Sequence, residues 1–198
     1  MPDTIPLFPL RTVLFPDGAL KLRIFEARYI DMVGRCMKQE SGFGVVLIVE
    51  GVEAGTVVTT AEVGTLARIT DFERLSDGLL GITAQGQRRF RVVTTRRQQD
   101  GLNVGVVEWL PADEVVPIPP EHLDLSTALR DLWPKLTEGR DLTTPRYDDA
   151  SWVSARLAEI LPLEVTDRQR CLEMSDPALR LHYLREKIPG IAAEQGQA

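Results

Sequence analysis

The stretch Ile5–Cys36, IPLFPLRTVLFPDGALKLRIFEARYIDMVGRC, decides the fold. It opens apolar but is broken by Pro6, Pro9 and Pro16, each of which removes a backbone donor and forbids a helix. Asp17-Gly18 marks a turn. Leu20, Leu22 and Ile24 then alternate with Lys21 and Arg23, the period of a strand with one buried face. At Phe25 the period changes. Phe25, Tyr29, Met32/Val33 and Cys36 recur at helical spacing, on one side of an amphipathic helix. The stretch therefore predicts a proline-edged strand, a turn, a second strand and a helix. Strand face and helix stripe feed one core.

Working outward, Ser41-Gly42 is a turn, and GVVLIV (Gly44–Val49) reads as a buried, β-branched strand. Gly51 and Gly55 bracket a loop, Thr56–Thr60 is a weaker strand, and Thr65–Phe72 is the next. Ser76-Asp77-Gly78 is a hairpin signal leading into Leu79–Ala84. Gly86 invites a bulge before Arg89–Thr94, and Asp100-Gly101 turns the chain into Leu102–Leu110. Several short strands with glycine turns and one early helix imply a barrel-like sheet rather than a βαβ array.

Composition shifts at Pro111. The run PADEVVPIPPEHL is a stiff connector, and the signals beyond it are helical. His122, Leu125, Leu129, Leu132 and Leu136 form one stripe, which Pro134 should kink or end. Thr137–Tyr147 is a polar loop. Asp148 or Asp149 caps a helix burying Trp152 or Val153, Leu157 and Ile160/Leu161, which Pro162 stops. Thr166 and Gln169 have capping-box spacing before Cys171 and Leu172. Asp176-Pro177 starts a last helix with Leu181, Leu184 and Ile188 inward. The expected layout is a β-domain over 1–112, a linker over 113–120, a helical bundle over 121–190 and a disordered tail over 191–198.

The 198 residues are enough to remove roughly 70% of the unfolded surface from water. A net charge of −6 argues against bulk affinity for nucleic acid or anionic lipid. Cys36 and Cys171 are too few and too distant for a zinc pattern. Pro2, Pro6 and Pro9 interrupt any signal-peptide core, and the longest apolar run, Val45–Val49, is far short of a membrane span. A soluble protein of a reducing compartment, the cytoplasm, is the expectation.

Two long motifs carry a family resemblance. PLFPLRTVLFPDG followed by LRIFEARY, and then VGTLARITDFERLSDGLLGITAQGQRRFRV, resemble the Lon protease N-terminal (substrate-binding) domain family. LAEILPL and RQRCLEM resemble its helical half, so the likeness covers nearly the whole chain. Lys21 departs from the pattern, which usually has proline there. The resemblance implies an α+β fold, a PUA-like β pseudo-barrel with one early helix followed by a C-terminal α-helical bundle. It also implies a stand-alone polypeptide-recognition domain without the Lon ATPase and protease.

A phosphate-cradling loop ends Gly-Lys-Ser/Thr, and this chain has no Gly-Lys dipeptide. His122 follows a proline pair and His182 lies on the last helix, while Ser41, Ser76, Ser151 and Ser175 sit at turns or caps, where hydroxyls serve the backbone. Asp71/Glu73, Asp113/Glu114 and Asp148/Asp149 lie beside turns and linkers, where acids are solvated rather than paired across a cleft. No catalytic residue, metal site or cofactor is expected.

The expected function is binding. Unfolded or partly folded polypeptides are the expected partners, with a separate protease as a further one. Phe15, Phe25 and Tyr29 are the candidates for apolar contact, and Arg11, Arg28 and Arg89 for orientation. Apolar side chains of a client would enter a concave seam and its backbone an open strand edge. Glu26 reads as a first-turn carboxylate favoured by the helix dipole, within reach of Arg28. The rival is an RNA-binding PUA-like module using Arg88, Arg89, Arg91, Arg96 and Arg97. A structural reading of that cluster is an exposed strand edge guarded by charge. A hydrolase assembled from distant residues and a structural subunit of a larger complex are further alternatives.

Overall fold

A computed structural model describes residues 3–50, 59–137 and 144–188. Its contacts divide the chain into Met1–Ala112 and Asp113–Ala198. The loop expected at Gly51–Gly55, most of the Thr56–Thr60 strand, part of the Thr137–Tyr147 loop and the 191–198 tail lie outside the described residues.

The first unit runs β1 (Asp3–Leu10), β2 (Ala19–Ile24), α1 (Ala27–Lys38), β3 (Phe43–Glu50), β4 (Thr59–Arg74), β5 (Leu80–Arg97) and β6 (Asn103–Trp109). Sheet order is β2-β5-β4-β3-β1-β6, and β6 also pairs with β5. The ladder thus closes through β5, β4, β3, β1 and β6, while among the described residues β2 pairs with β5 alone.

Two strands are longer than the expected short segments: β4 has 16 residues and β5 has 18. The reason is a bulge. Thr65 faces Arg89 but Ala67 faces Gly86, so Gln87 and Arg88 both stand opposite Leu66. The strand bends there without ending. Its first half pairs with β2 and its second half with β6. Gly86 bonds back to the turn, donating to Gly18 O at 2.8 Å and accepting from Asp17 N at 2.9 Å. A side chain at Gly86 would run into the Phe15 carbonyl.

The prolines of β1 are accommodated by a change of neighbour. Asp3–Leu7 pair antiparallel with β6, and Leu7–Leu10 pair parallel with β3. Pro6 and Pro9 each sit where the strand has one neighbour, so a missing N–H costs least. Consecutive side chains point to opposite faces, and both faces are filled. Phe8, Phe43 and Val45 join a cluster with Tyr29, Met32, Val33 and Cys36 of α1. Leu7, Val46, Phe90 and Val107 form a second one. That two-sided burial is why β3 reads as an unbroken apolar run.

Phe25 does not belong to the helix stripe. The helix N-cap is Glu26, whose side chain makes no capping bond, and Phe25 precedes it with 65% of its surface exposed. The buried stripe is Tyr29, Met32, Val33 and Cys36.

The second unit has a 3₁₀ turn (Pro120–His122), α2 (Leu123–Thr137), α3 (Ala150–Ile160), α4 (Val165–Glu173) and α5 (Pro177–Lys187). The proline-rich segment is fastened rather than free. Ala150 N donates to Val116 O at 2.7 Å, Ser151 Oγ donates to Glu114 O at 2.5 Å, and Pro117 bridges Asp149. Asp149 caps α3 through Ser151 N, and Asp176 caps α5 through Ala178 N and Leu179 N.

Two expectations fail here, and a third, that Pro134 kinks or ends its helix, loses its second alternative. Pro134 lies inside α2 without ending it. The buried face of α2 is Leu125, Ala128, Leu129 and Trp133, leaving Leu132 and Leu136 outward, because the indole of Trp133 packs edge-on against Trp152. The N-cap of α4 is Glu164, so Thr166 and Gln169 form no capping box, and Gln169 Nε2 instead donates to Glu173.

Candidate functional site

Where β2 runs into α1, the first unit opens a cleft of about 440 Å³. Phe8, Leu10, Leu20, Leu22, Phe25 and Tyr29 supply its apolar surface; Arg11, Lys21, Arg23 and Glu26 supply charge. Alternation along β2 turns Leu20, Leu22 and Ile24 toward the core and Lys21 and Arg23 to the opposite face. Phe25 is left at the rim because the chain must leave the strand before the helix begins at Ala27.

The floor is rigid. Tyr29 stacks on Phe8 with ring centroids 3.9 Å apart and planes 15° apart. Arg28 braces it, its guanidinium 4.6 Å from the Tyr29 ring centre. Arg28 Nε donates to Glu26 Oε2 at 2.9 Å and Nη1 to Gly101 O at 2.9 Å, tying the start of α1 to the β5–β6 hairpin. The rim is basic in balance. Arg11, Lys21 and Arg23 stand against Glu26, which is already engaged by Arg28, while Arg23 pairs with Asp77. A second cleft on the other side of β2 is lined by Lys21, Arg23, Glu73 and Asp77.

Of the six residues expected in a peptide site, the fold brings Arg11, Phe25 and Tyr29 to this cleft. Arg28 stands behind the tyrosine. Phe15, 1% exposed, and Arg89, 4% exposed, are interior and do not line it. Phe8, Leu20, Leu22 and Lys21 were not among the expected residues. Phe8 lies on β1; for the three β2 residues the signal is the two-residue alternation of a strand that ends a sheet, and edge position is set by pairing that the local sequence does not carry.

The arginines of β5 have separate environments, with Arg88, Arg91, Arg96 and Arg97 exposed. Arg88 covers the Trp109 ring at 5.2 Å, Arg89 is buried, Arg91 pairs with Glu62 at 2.9 Å, and Arg97 Nε donates to Gly101 O at 3.3 Å. The His122 and His182 rings lie 6.1 Å apart, and His182 Nε2 meets Glu186 at 3.3 Å on an exposed helix face. Burial, followed by the charge of Arg185, lowers the His122 pKa. Ser126, Ser151 and Ser154 donate to backbone carbonyls. Burial raises both thiols, Cys171 to about 11, which keeps them protonated at neutral pH. Among the described residues no three His, Cys, Asp or Glu side chains are grouped to hold a metal, and no helix is long and apolar enough to cross a membrane.

Comparison with known proteins gives a consistent picture. A Lon N-terminal domain protein from Xanthomonas campestris superposes with a TM-score of 0.79 at 40% identity, over 93% of this chain and 98% of that one. The N-terminal domain of a Mycobacterium avium complex Lon protease shares the fold, with a TM-score of 0.67 at 17% identity over 93% of this chain and 97% of that one. A Lon protease of Cytophaga hutchinsonii is 24% identical over 92% of this chain, and cereblon of Xenopus tropicalis 30% identical over 65% of it. The chain spans about a quarter of the length of these curated relatives, 24% and 28% respectively. The family model for the ATP-dependent protease La (LON) substrate-binding domain matches residues 4–188. This chain belongs to that substrate-binding domain family.

Proposed function

We propose that the chain binds polypeptide substrates at the β2–α1 cleft and does not transform them. The observation that carries this reading is the exposed Phe25 beside a braced Phe8–Tyr29 floor, under a basic rim. A large aromatic held in solvent at the lip of an apolar groove gains by covering with another chain. Membership of a substrate-binding family supports the same reading. Phe25 and Tyr29 make contact, Arg11 orients, and Arg28 holds the tyrosine in place; Phe15 and Arg89 support the fold. In the same reading the closed ladder is a PUA-like pseudo-barrel, the second unit a helical bundle, and the setting cytoplasmic.

Fluorescence anisotropy with a labelled, permanently unfolded protein tests it. Saturable binding in the micromolar range is expected, weakened several-fold by Phe25→Ala. No association up to high micromolar concentration at low salt overturns it. Salt-sensitive retention of RNA by the same preparation, lost on Arg88→Ala/Arg91→Ala, would assign the chain to nucleic acid instead.

A further inference from the structure

The backbone of β2 has an open side, and its direction can be derived. Gly86 N donates to Gly18 O at 2.8 Å, so these two residues form a bonded pair. The register continues at Leu20↔Ala84, Leu22↔Ile82 and Ile24↔Leu80, which keeps those positions bonded to β5. In an antiparallel ladder the residues between bonded pairs turn their N–H and C=O outward. Ala19, Lys21 and Arg23 therefore present donors and acceptors away from β5. β5 is the one strand that β2 pairs with, and these outward groups make no hydrogen bond among the described residues.

Side chains on either side of that edge differ. Leu20 and Leu22 face the apolar cleft, and Lys21 and Arg23 the other face. Lys21 has no ion pair among the described residues; its face also carries Arg23, Glu73 and Asp77, of which Arg23 and Asp77 pair with each other.

We infer that a polypeptide substrate binds as an added strand along β2, with apolar side chains in the cleft alternating with acidic side chains beside Lys21 and Arg23. The inference rests on the polypeptide-binding reading above and names its mode and substrate class. Backbone bonds supply sequence-tolerant affinity, and same-face pairs across the new strand boundary select the apolar–acidic pattern. Arg23 serves this role by sharing its charge between Asp77 and the incoming acid.

A labelled octapeptide alternating valine and glutamate, titrated against the full chain, supplies the test. Two versions N-methylated at alternate amides, one in each parity, separate strand addition from side-chain binding. One parity is expected to lose about tenfold or more in affinity and the other to stay within about twofold. A valine–lysine octapeptide is expected to bind about tenfold more weakly than valine–glutamate. Lys21→Ala and Lys21→Pro both remove the charge, but the proline alone removes the outward N–H. Lys21→Pro is expected to bind about fivefold more weakly than Lys21→Ala at an unchanged melting temperature. If the melting temperature falls, the N-methylated pair decides.

Equal effects of both parities, with the permanently unfolded protein still bound, overturn strand addition and leave the polypeptide-binding reading standing. Loss of binding by the unfolded protein as well removes both. A homodimer that Lys21→Pro dissociates would assign the edge to a second copy and overturn the inference.

Discussion

The two units answer their buried polar groups in different ways. The first has a core of aliphatic and aromatic side chains, and its unsatisfied backbone groups lie at a strand edge. The second is built around charge. Arg180, 1% exposed, donates to Cys171 O, Ser154 Oγ, Met174 O and Asp113 Oδ2 at 2.6 to 3.1 Å, and Arg156, also 1% exposed, reaches Glu159. A guanidinium's planar donors fix several elements at once, so α3, α4 and α5 are specified by one side chain as well as by packing. The contrast teaches where binding capacity resides. The second unit ties its most buried guanidinium, Arg180, to internal partners, although His122 Nδ1 and Trp152 Nε1 stay unbonded inside it among the described residues; the first leaves backbone groups at a sheet edge, where another chain can reach them.

The largest effects should come from attacking each principle at its centre. Arg180→Ala removes the buried donor shared by the Asp113 carboxylate, Ser154 Oγ and two carbonyls, and denaturant melts should show a loss of about 3–5 kcal/mol. Phe43→Ala, in the apolar core of the first unit, should cost a similar amount, about 3–5 kcal/mol, through an unfilled cavity. If Arg180→Ala proved nearly neutral, the contrast would be broken.

Acidification should act on the second unit first. Burial lowers the His122 pKa, so the unfolded chain binds that proton more readily than the folded one. Stability contributed by neutral His122 is complete above about pH 6.5 and declines as pH falls through that value. Melting temperatures from pH 7.5 to 5.5 should fall, and His122→Gln should flatten the slope. Asp167, whose pKa is lowered by hydrogen bonds from Lys187 and Tyr183, adds a second loss below about pH 4.

Gly34 lies in α1, and a methyl group added there would meet nothing. Gly34→Ala should raise stability by about 0.5–1 kcal/mol, measured by the same melts. Phe25→Ala should move stability by less than about 0.5 kcal/mol while weakening polypeptide binding several-fold. A large loss of stability there would place Phe25 in the fold rather than the site.

Periodicity made much of this architecture legible. The alternation of β2, the two-sided burial of β3, the Tyr29–Cys36 stripe and the Asp149 and Asp176 caps are local patterns with local causes. What escaped depends on distant partners. Phe25 fits the helical spacing, but where the helix begins is decided by the strand before it. Leu132 and Leu136 fit the α2 stripe, but the indole pair Trp133–Trp152 sets which way that helix turns. Arg89 looks like its neighbours in a basic run, yet the bulge at Gln87–Arg88 changes which face each one takes. The cleft is half legible: Phe25, Tyr29 and Arg11 stand out in the sequence, whereas Phe8 and the leucines of β2 read as ordinary core. Their role follows from β2 closing one end of the sheet order, which no window of sequence reports.

The place of β1 sets a timetable for synthesis. Its neighbours are β3 and β6, and its pairing with β6 joins Asp3 to Val107. As the ribosome extends the chain, the first strand to emerge therefore waits for one of the last strands of its unit. Adjacent hairpins can zip by then, but the ring stays ajar, with part of β1 exposed to chaperones and to neighbouring nascent chains. The two prolines in that strand, by removing donors, make it a poor template for stray pairing during the wait.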